Sequence, residues 1–470
     1  MTTECSDKQM EFHALGRRCV RASFDGGRIS SDGGGLLLRE VERHTRIIER
    51  LAGCFTDHRD AGRIEHELGT LVGQRVYALA LGYEDLNDHE VLRGDALLAL
   101  LSGKRDVEGR ERRRARDVGH ALAGACTLNR LELTPGHAEE RSRYKKVVAD
   151  FEAMDDLLLS LFIESHTTPP QQLILDVDAT DDPLHGHQEG RYFHGYYGEY
   201  CYLPLYIVCG EQVLCARLRT ADVDPGAGIV VELERIVPRL RAVWPEVEIV
   251  VRGDSGFCRE DNMAWCEANG VHYLFGLAKN ARLNAELAEA MQQAKAAYAT
   301  RGEAARVFHD FRYQTRESWS CARRVVGKAE YLEKGENPRY VVTSLPAEEV
   351  DARSLYEVHY CARGQMENRI KEQMMLFADR TSTAMFRSNQ LRLYFSTFAY
   401  CLMQALRRLG LAGTEFARSQ CDTVRCKLMK IGASIRVSVR KIWISLSSSY
   451  PYAALFQQIY TRLRALPAPS

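Results

Sequence analysis

Two aspartates of this chain follow short apolar runs, where a carboxylate needs a cation or a polar partner. Asp178 comes directly after the run 173–177, and Asp254 comes directly after the run 249–253. A short apolar run bounded by turn residues is typical of a buried strand, and an uncompensated charge at its end is costly. Ligands of open α/β sheets lie at the carboxyl ends of strands. Both aspartates are therefore expected at the ligand-binding edge of a sheet.

A third acid, Glu367, lies in the segment 355–375, whose periodicity is helical. Tyr360, Arg363, Glu367 and Lys371 are spaced by three, four and four residues, which places their side chains on one helical face. A carboxylate with a base one turn away on either side suits a site for a metal ion and a phosphate. The alternative is an ordinary helix with salt bridges from Glu367 to Arg363 or Lys371.

Three carboxylates brought together would support phosphoryl transfer. They would hold two divalent cations roughly 3.5–4 Å apart, one activating a water or a 3′-hydroxyl and the other stabilising the leaving oxygen. Oxygen ligands with incomplete protein coordination are typical of Mg²⁺, which keeps some of its waters. We therefore expect two Mg²⁺ ions as the cofactor.

The elements that position these acids follow the order of a ribonuclease H-like core. Three strands are followed by a helix, a strand, a helix and a strand, ending near residue 278. The predicted fold class is α/β, a ribonuclease H-like core with an inserted β-rich subdomain, flanked by α-helical N- and C-terminal regions. The predicted divisions are an arm (1–35), a helical DNA-end-binding region (36–170), the first part of the core (171–280), the β-rich insertion (281–350), the helix with Glu367 (351–380) and a basic helical region (381–470).

Charge is balanced overall but uneven along the chain. The 63 Lys and Arg equal the 63 Asp and Glu, yet seven bases accompany three acids between Lys104 and Arg116, and eleven accompany two between Arg387 and Lys441. These blocks are candidate phosphate-contact surfaces, with solvated helix faces as the alternative. Between them, 119–133 fits a helix-turn-helix or an ordinary helical pair.

The composition is that of a cytoplasmic protein. No run of about 18 apolar residues predicts a membrane span, and the N-terminus lacks the apolar core of a signal peptide. The 14 cysteines include no CxxC pair, so we expect reduced thiols and no zinc site.

The motifs LDVDAT (175–180), VVRGDSGF (250–257) and Tyr-x-x-Arg-x-x-x-Glu (360–367) together resemble the DDE transposases of bacterial insertion sequences. Within these, the chain resembles the insertion-sequence thirteen-eighty group, allied to the insertion-sequence four superfamily. The resemblance covers nearly the whole chain, and also rests on SSDGGGLLL (30–38), DPLHGHQ (182–188), NQLRLYFSTFAYCLMQALRR (389–408) and TVRCKLMKIGASI (423–435).

The resemblance implies Asp178, Asp254 and Glu367 as catalytic residues and metal ligands, with two Mg²⁺ ions for which Mn²⁺ is expected to substitute. It implies cleavage at the element's terminal inverted repeats and joining to target DNA by a homodimer on the bacterial nucleoid. The allied pattern has a lysine where this chain has Met374, and we assign that role to Lys371. The residues expected to contact double-stranded DNA are Tyr360, Arg363, Lys371, Arg252, Asn129, Arg130, Arg425, Lys427 and Lys430.

Several assignments stay open at this point. Asp178 is preferred over Asp176 as the first ligand because Asp-x-Thr, with Thr180, matches the related motif better, although both aspartates point to one strand face. Arg252 is expected to contact phosphate or to pair with an acid, and His185 to lie in a loop near DNA. A nuclease without strand transfer and a non-catalytic DNA-end-binding regulator are the alternative functions.

Overall fold

The computed structural model describes residues 9–467 and divides into two compact units. One unit comprises the residues up to Ala149 together with those from Phe398 onward, and the other comprises Asp150–Thr397. None of the helices within 9–467 combines the length and apolar composition needed to cross a bilayer. The three predicted acids all lie in the unit Asp150–Thr397.

The unit Asp150–Thr397 is built around a mixed sheet of nine strands. At its centre, β1 (Gln172–Ala179) pairs antiparallel with β2 (Leu205–Cys209), which pairs antiparallel with β3 (Gln212–Arg217). On the other side, β1 pairs parallel with β4 (Glu248–Gly253), and β4 pairs parallel with β5 (His272–Leu277). The strand and helix order predicted for 171–280 agrees with this arrangement.

The predicted β-rich insertion extends this sheet and does not form a sheet of its own. Its strands are β6 (Ala305–Tyr313), β7 (Arg323–Leu332), β8 (Gly335–Glu336) and β9 (Arg339–Thr343). The last of these, β9, pairs antiparallel with β5, and β7 and β6 follow outward. The insertion thereby satisfies the backbone N–H and C=O groups that β5 would otherwise expose at a sheet edge.

Helices pack around the sheet, and α2 covers one of its faces. Leu173, Leu175 and Val177 of β1 share a core with Leu233 and Ile236 of α2, all at most 3% exposed. Burying each such side chain contributes about 1.5–3 kcal/mol. The helices longer than one turn are α1 (Phe151–Glu164), α2 (Ile229–Val243), α3 (Glu260–Ala268), α4 (Ala281–Glu286), α5 (Ala288–Arg301), α6 (Gly364–Met374) and α7 (Phe386–Leu406), and the boundary of the unit falls within α7.

The opposite face of the sheet carries the acids. Successive strand residues alternate between faces, so Asp176 and Asp178 point away from the α2 core. Helix α6 contacts β1 and β2, and its residues Met366 and Ile370 are buried. Helix α6, which carries Glu367, therefore packs through its apolar side on the face of the sheet where the aspartates lie.

The other unit is mainly helical. Its helices are Gly35–Thr45, Ile47–Gly53, Leu68–Leu81, His89–Leu92, Ala96–Leu101, Ala125–Glu132, Cys421–Val424 and Ala453–Ala465. Its strands are Gln9–Leu15, Arg18–Ser23, Arg28–Ser30, Phe55–Asp57, Val147–Ala149, Ala433–Val437 and Ile442–Leu446. Residues 1–8 of the predicted arm lie outside the described part, and the rest of the arm contains an exposed hairpin.

The helix-turn-helix predicted at 119–133 is wrong. Only Ala125–Glu132 is helical. The preceding residues are held in non-helical backbone because the amide of Leu122 donates to the Arg93 carbonyl oxygen at 3.0 Å. The amide of Ala123 likewise donates to Gln74 Oε1 at 3.1 Å. These tertiary hydrogen bonds replace the ones that a first helix would have made.

The predicted all-helical C-terminal region is also wrong in part. Ala433–Val437 pairs antiparallel with Ile442–Leu446 and with Arg28–Ser30. Ala433 and Ile435 are buried while Ser434 and Arg436 are exposed, which is the two-residue period of a half-buried strand.

Candidate functional site

Asp178 and Asp254 lie side by side at the carboxyl ends of neighbouring parallel strands. Gly253 of β4 pairs with Val177 of β1, so each aspartate stands one position beyond this pair. The Asp254 Oδ1 atom accepts a hydrogen bond from the Gly256 amide at 2.8 Å. The Asp178 side chain is only 14% exposed. The expectation that both acids occupy one sheet edge agrees with this geometry.

Arg363 connects the third acid to the first. Its Nη1 atom lies 3.3 Å from Asp178 Oδ2, and its Nη2 atom lies 3.7 Å from Glu367 Oε1. The sequence had suggested the Arg363–Glu367 pair as one alternative, but the contact with Asp178 spans 185 residues and had no local signal. In this structure the Arg363 guanidinium pairs with two of the three acids, and its predicted contact with DNA stays a prediction.

The carboxylates also influence one another. Burial raises the pKa of Asp178 to about 6; Arg363 opposes this shift, while the charges of Asp254 and Glu367 add to it. The pKa of Arg363 is raised because the surrounding carboxylates outweigh the opposing effect of its burial. The site therefore holds more negative charge than one guanidinium neutralises.

Tyr360 lies against the loop that carries Asp254. A Cβ atom at Gly276 would stand 2.5 Å from the Tyr360 hydroxyl oxygen and 3.0 Å from the Ser255 amide nitrogen. Only glycine at position 276 therefore permits this approach. Tyr360 ends a π-helical turn, Leu355–Tyr360, a feature frequent at functional sites. Burial raises the pKa of its hydroxyl.

Asp176 is held in a different interaction from Asp178. Arg252 donates from Nε to Asp176 Oδ1 at 2.6 Å and from Nη2 to Oδ2 at 2.8 Å, and its Nη1 atom also donates to the His359 carbonyl oxygen. Both side chains are less than 10% exposed. The prediction that Arg252 contacts DNA is wrong, because its guanidinium is buried and committed to Asp176. The alternative reading, a pair with an acid, is the one observed.

The donor set fits a hard divalent cation in chemical type and charge. Asp178, Asp254 and Glu367 supply carboxylate oxygens, which Mg²⁺ prefers, and their mutual repulsion is the kind that a bound dication relieves. In the described part of the chain, no three His, Cys, Asp or Glu side chains stand close enough to hold a metal ion in their present positions. Glu367, 56% exposed, is the member with most freedom to move.

The remaining predicted DNA contacts differ in availability. Asn129, Arg130, Lys371 and Lys427 are exposed, and their roles stay predictions. One other is a correction. Arg425 is buried, with Nε 3.2 Å from the Ala80 carbonyl oxygen and Nη1 3.3 Å from Asp422. Lys430 is exposed, with Nζ 2.7 Å from Asp32 Oδ1, and its role stays a prediction.

Two residues that follow the first aspartate, Thr180 and His185, differ in exposure. Thr180 is half-buried, and its amide donates to the Pro204 carbonyl oxygen at 3.4 Å, whereas His185 is exposed.

Asp182, in the segment that follows the first aspartate, is a buried acid. It is 1% exposed, and its Oδ2 atom accepts a hydrogen bond from Thr381 Oγ1 at 2.8 Å. Burial raises its pKa from 3.8 to about 8; Thr381 opposes the shift, and Asp379 and Asp181 add to it. Such a group favours folding while protonated, so its contribution is full below about pH 4 and is lost as the pH rises to about 8.

We therefore expect wild type to lose stability between about pH 4 and pH 8 through Asp182, by at most about 5 kcal/mol. Asp182→Asn keeps an uncharged group of the same shape, so its unfolding free energy should fall less over that range. Urea unfolding at several pH values measures this difference, with Asp181→Asn as the neighbouring control. Parallel pH profiles for wild type and Asp182→Asn would contradict the assignment.

Comparisons with known proteins identify the family. The family model described as "Transposase DDE domain group 1" matches residues 12–468. No curated protein matches the chain. Among solved structures, a piggyBac transposase synaptic complex with hairpin DNA is similar at 10% sequence identity, with a TM-score of 0.42, over 85% of this chain and 80% of that one. The match to the family model spans nearly the whole sequence, and the chain therefore belongs to the DDE transposase family, group 1.

Proposed function

We propose that this protein cuts DNA at the ends of an insertion sequence of the thirteen-eighty group, within the insertion-sequence four superfamily, and joins the freed 3′ ends to target DNA. The reaction is a cut-and-paste transposition. Asp178, Asp254 and Glu367 are its catalytic carboxylates, and the core that carries them is ribonuclease H-like. Family membership supports a transposase, and the residues around these acids support the finer assignment.

The observation that carries this proposal is the contact of Arg363 with both Asp178 and Glu367. Arg363 directly precedes helix α6, and its contact with Asp178 holds this helix next to the end of β1. Asp254 lies at the end of the neighbouring strand β4. Acids that are more than a hundred residues apart in sequence are thereby placed near one another. The order β3-β2-β1-β4-β5, with β2 antiparallel to its neighbours, supports the ribonuclease H-like assignment.

Each residue then has a distinct task. Asp178, Asp254 and Glu367 would hold two Mg²⁺ ions, which when bound supply Lewis acidity at the scissile phosphate and lower the pKa of a bound water. Arg363 keeps Asp178 and Glu367 together before the metal binds and, once released, is placed to contact a phosphate. Lys371, exposed one turn beyond Glu367, is placed to contact the DNA backbone.

The partners follow from the reaction. The substrates are double-stranded DNA carrying the element's terminal inverted repeats and the target duplex. Two ends must be processed in one synaptic complex, so the active form is expected to be at least a homodimer.

The test is an assay with supercoiled DNA that carries the cognate ends, in Mg²⁺ and separately in Mn²⁺. Excised element together with joined product supports the proposal. Nicked or cut DNA without joining would identify a nuclease, and binding to the ends without cutting would identify a regulator. Either of these two outcomes would overturn the transposition activity proposed here.

A further inference from the structure

A strongly basic cleft lies in the unit formed by the residues up to Ala149 and from Phe398 onward. Its volume is about 1020 Å³, and its walls come from segments between residues 59 and 147. The lining residues include nine arginines and one lysine against four acids, an excess of six positive charges. Such an excess on one concave surface is typical of polyanion binding.

The acids of the cleft are already paired with particular arginines. Glu65 lies 2.9 Å from Arg112 Nε, and Asp117 lies 3.6 Å from Arg93 Nη1. Glu90 also pairs with Arg93, at 3.7 Å. The fourth acid pairs within the cleft as well, Asp60 with Arg63 at 3.3 Å. The four acids of the cleft thus neutralise only some of its arginines.

Four other arginines of the cleft have no carboxylate partner in the described part of the chain. Arg114, Arg116, Arg130 and Arg143 are exposed, and no carboxylate lies within 4 Å of them in the described part of the chain. They come from three separate segments, so the fold has brought them to one surface. Arginine presents a planar fork of donors that matches phosphate oxygens in two places at once.

An exposed tyrosine fixes two of these four arginines. The guanidinium carbons of Arg143 and Arg130 lie 5.1 and 5.8 Å from the ring centroid of Tyr144. Cation–π contacts of this kind hold the guanidinium groups in place. They also occupy the Tyr144 ring, which favours contacts with a backbone over stacking on bases.

The neighbouring helix N-terminus does not contribute an anion site. The amide of Ala125, at the start of the helix Ala125–Glu132, donates to Glu90 Oε1 at 2.8 Å. A Cβ atom at Gly124 would stand 2.9 Å from the same oxygen. A carboxylate of the chain therefore fills that position, and the anion-binding capacity of the cleft rests on its arginines.

We propose that this cleft binds the phosphate backbone of duplex DNA through Arg114, Arg116, Arg130 and Arg143. The inference rests on the proposed function, which requires the protein to hold DNA ends. The contacts go to phosphates, so they position the duplex and do not select its sequence. The cleft lies in a different unit from the carboxylates, so binding and cleavage can be measured separately.

The test measures duplex binding by full-length protein in EDTA, by fluorescence anisotropy over a range of salt concentrations. The variant replaces all four arginines by alanine. Each lost phosphate contact lowers the slope of log K against log salt by about 0.9, so the slope should fall by roughly 3–4. Affinity at low salt should fall by at least about a hundredfold. The loss should be the same for an element-end duplex and for a scrambled duplex.

Two further variants guard against effects on folding or on overall charge. Replacing the same four arginines by lysine keeps the charges and should retain most of the slope. Replacing the exposed bases Lys279, Arg301, Arg316 and Lys334 by alanine removes equal charge from the other unit and should leave the slope within about one contact of wild type.

Failure of this inference differs from failure of the proposed function. If the four-alanine variant binds duplex as wild type does while wild type still cuts and joins, the cleft assignment is wrong and the transposase remains. If that variant loses affinity for inorganic triphosphate but not for duplex, the cleft is a small-anion site and the inference is also overturned. If wild type binds duplex through the cleft but never cuts DNA, the inference stands and the proposed function fails.

Discussion

Replacing Asp254 by asparagine is expected to abolish both cleavage and joining, with a loss of about a thousandfold or more, equivalent to about 4 kcal/mol of transition-state stabilisation. The substitution removes the charge that a divalent cation needs. An asparagine Oδ1 atom can still accept the bond that the Gly256 amide donates to Asp254 at 2.8 Å. The fold and DNA binding should therefore be retained while catalysis is lost.

The measurement compares excised and joined products from wild type, Asp254→Asn, Asp178→Asn and Glu367→Gln in Mg²⁺. All three variants should be inactive, because Asp178 and Glu367 pair with Arg363 and Asp254 lies at the end of the neighbouring strand. The matched control is Asp261→Asn, an exposed acid on α3, which should keep wild-type activity. An active Asp254→Asn variant would refute the proposed site, whatever the other variants do.

Asp176→Ala is expected to destabilise the protein by about 3–5 kcal/mol, the usual cost of leaving one partner of a buried ion pair uncompensated. Arg252 is only 6% exposed and makes both its Nε and Nη2 bonds to this carboxylate. Without Asp176, a guanidinium remains inside the protein with its charge unpaired. Arg252→Ala should cost a similar amount because it strands the carboxylate.

The pair can be removed together to separate structure from catalysis. Asp176→Leu with Arg252→Met replaces the two charges by apolar groups, and such replacements of buried pairs are often neutral. Urea unfolding of wild type, the two single variants and the double variant gives the coupling free energy. The double variant should fold and still cut DNA, because Asp178 and not Asp176 is the proposed ligand. A folded double variant that neither binds divalent metal nor cuts would make Asp176 the ligand.

The local sequence pattern was sufficient to predict which strands and which helix carry the acids. Apolar runs that stop at Asp178 and Asp254 predicted strand ends, and helical spacing predicted that Arg363 and Glu367 lie within reach of each other, as they do. Strand alternation and helical periodicity depend only on residues that are close in sequence, so they can be recognised in a single sequence. The order of strands and helices from 171 to 280 followed for the same reason.

Local pattern was misleading where long-range hydrogen bonds or pairing decide the structure. The segment 119–124 has helix-compatible residues, yet bonds to Arg93 and Gln74 hold it outside a helix. The strand Ala433–Val437 has a local signal, its two-residue alternation, but one of its two pairing partners is Arg28–Ser30, some four hundred residues earlier. Such partners leave no signal in the segment itself.

The sequence by itself determined which residues could do chemistry in this protein, and only the tertiary structure decided which charges are free to do it. Arg252, Arg363 and Arg425 were all expected to contact DNA, and each lies inside one of the motifs that carry the family resemblance. The folded chain buries Arg252 against Asp176, places Arg363 between Asp178 and Glu367, and holds Arg425 against a backbone carbonyl. The physical reason is that a charge must find a partner when it is buried, and the partner is chosen by proximity in space.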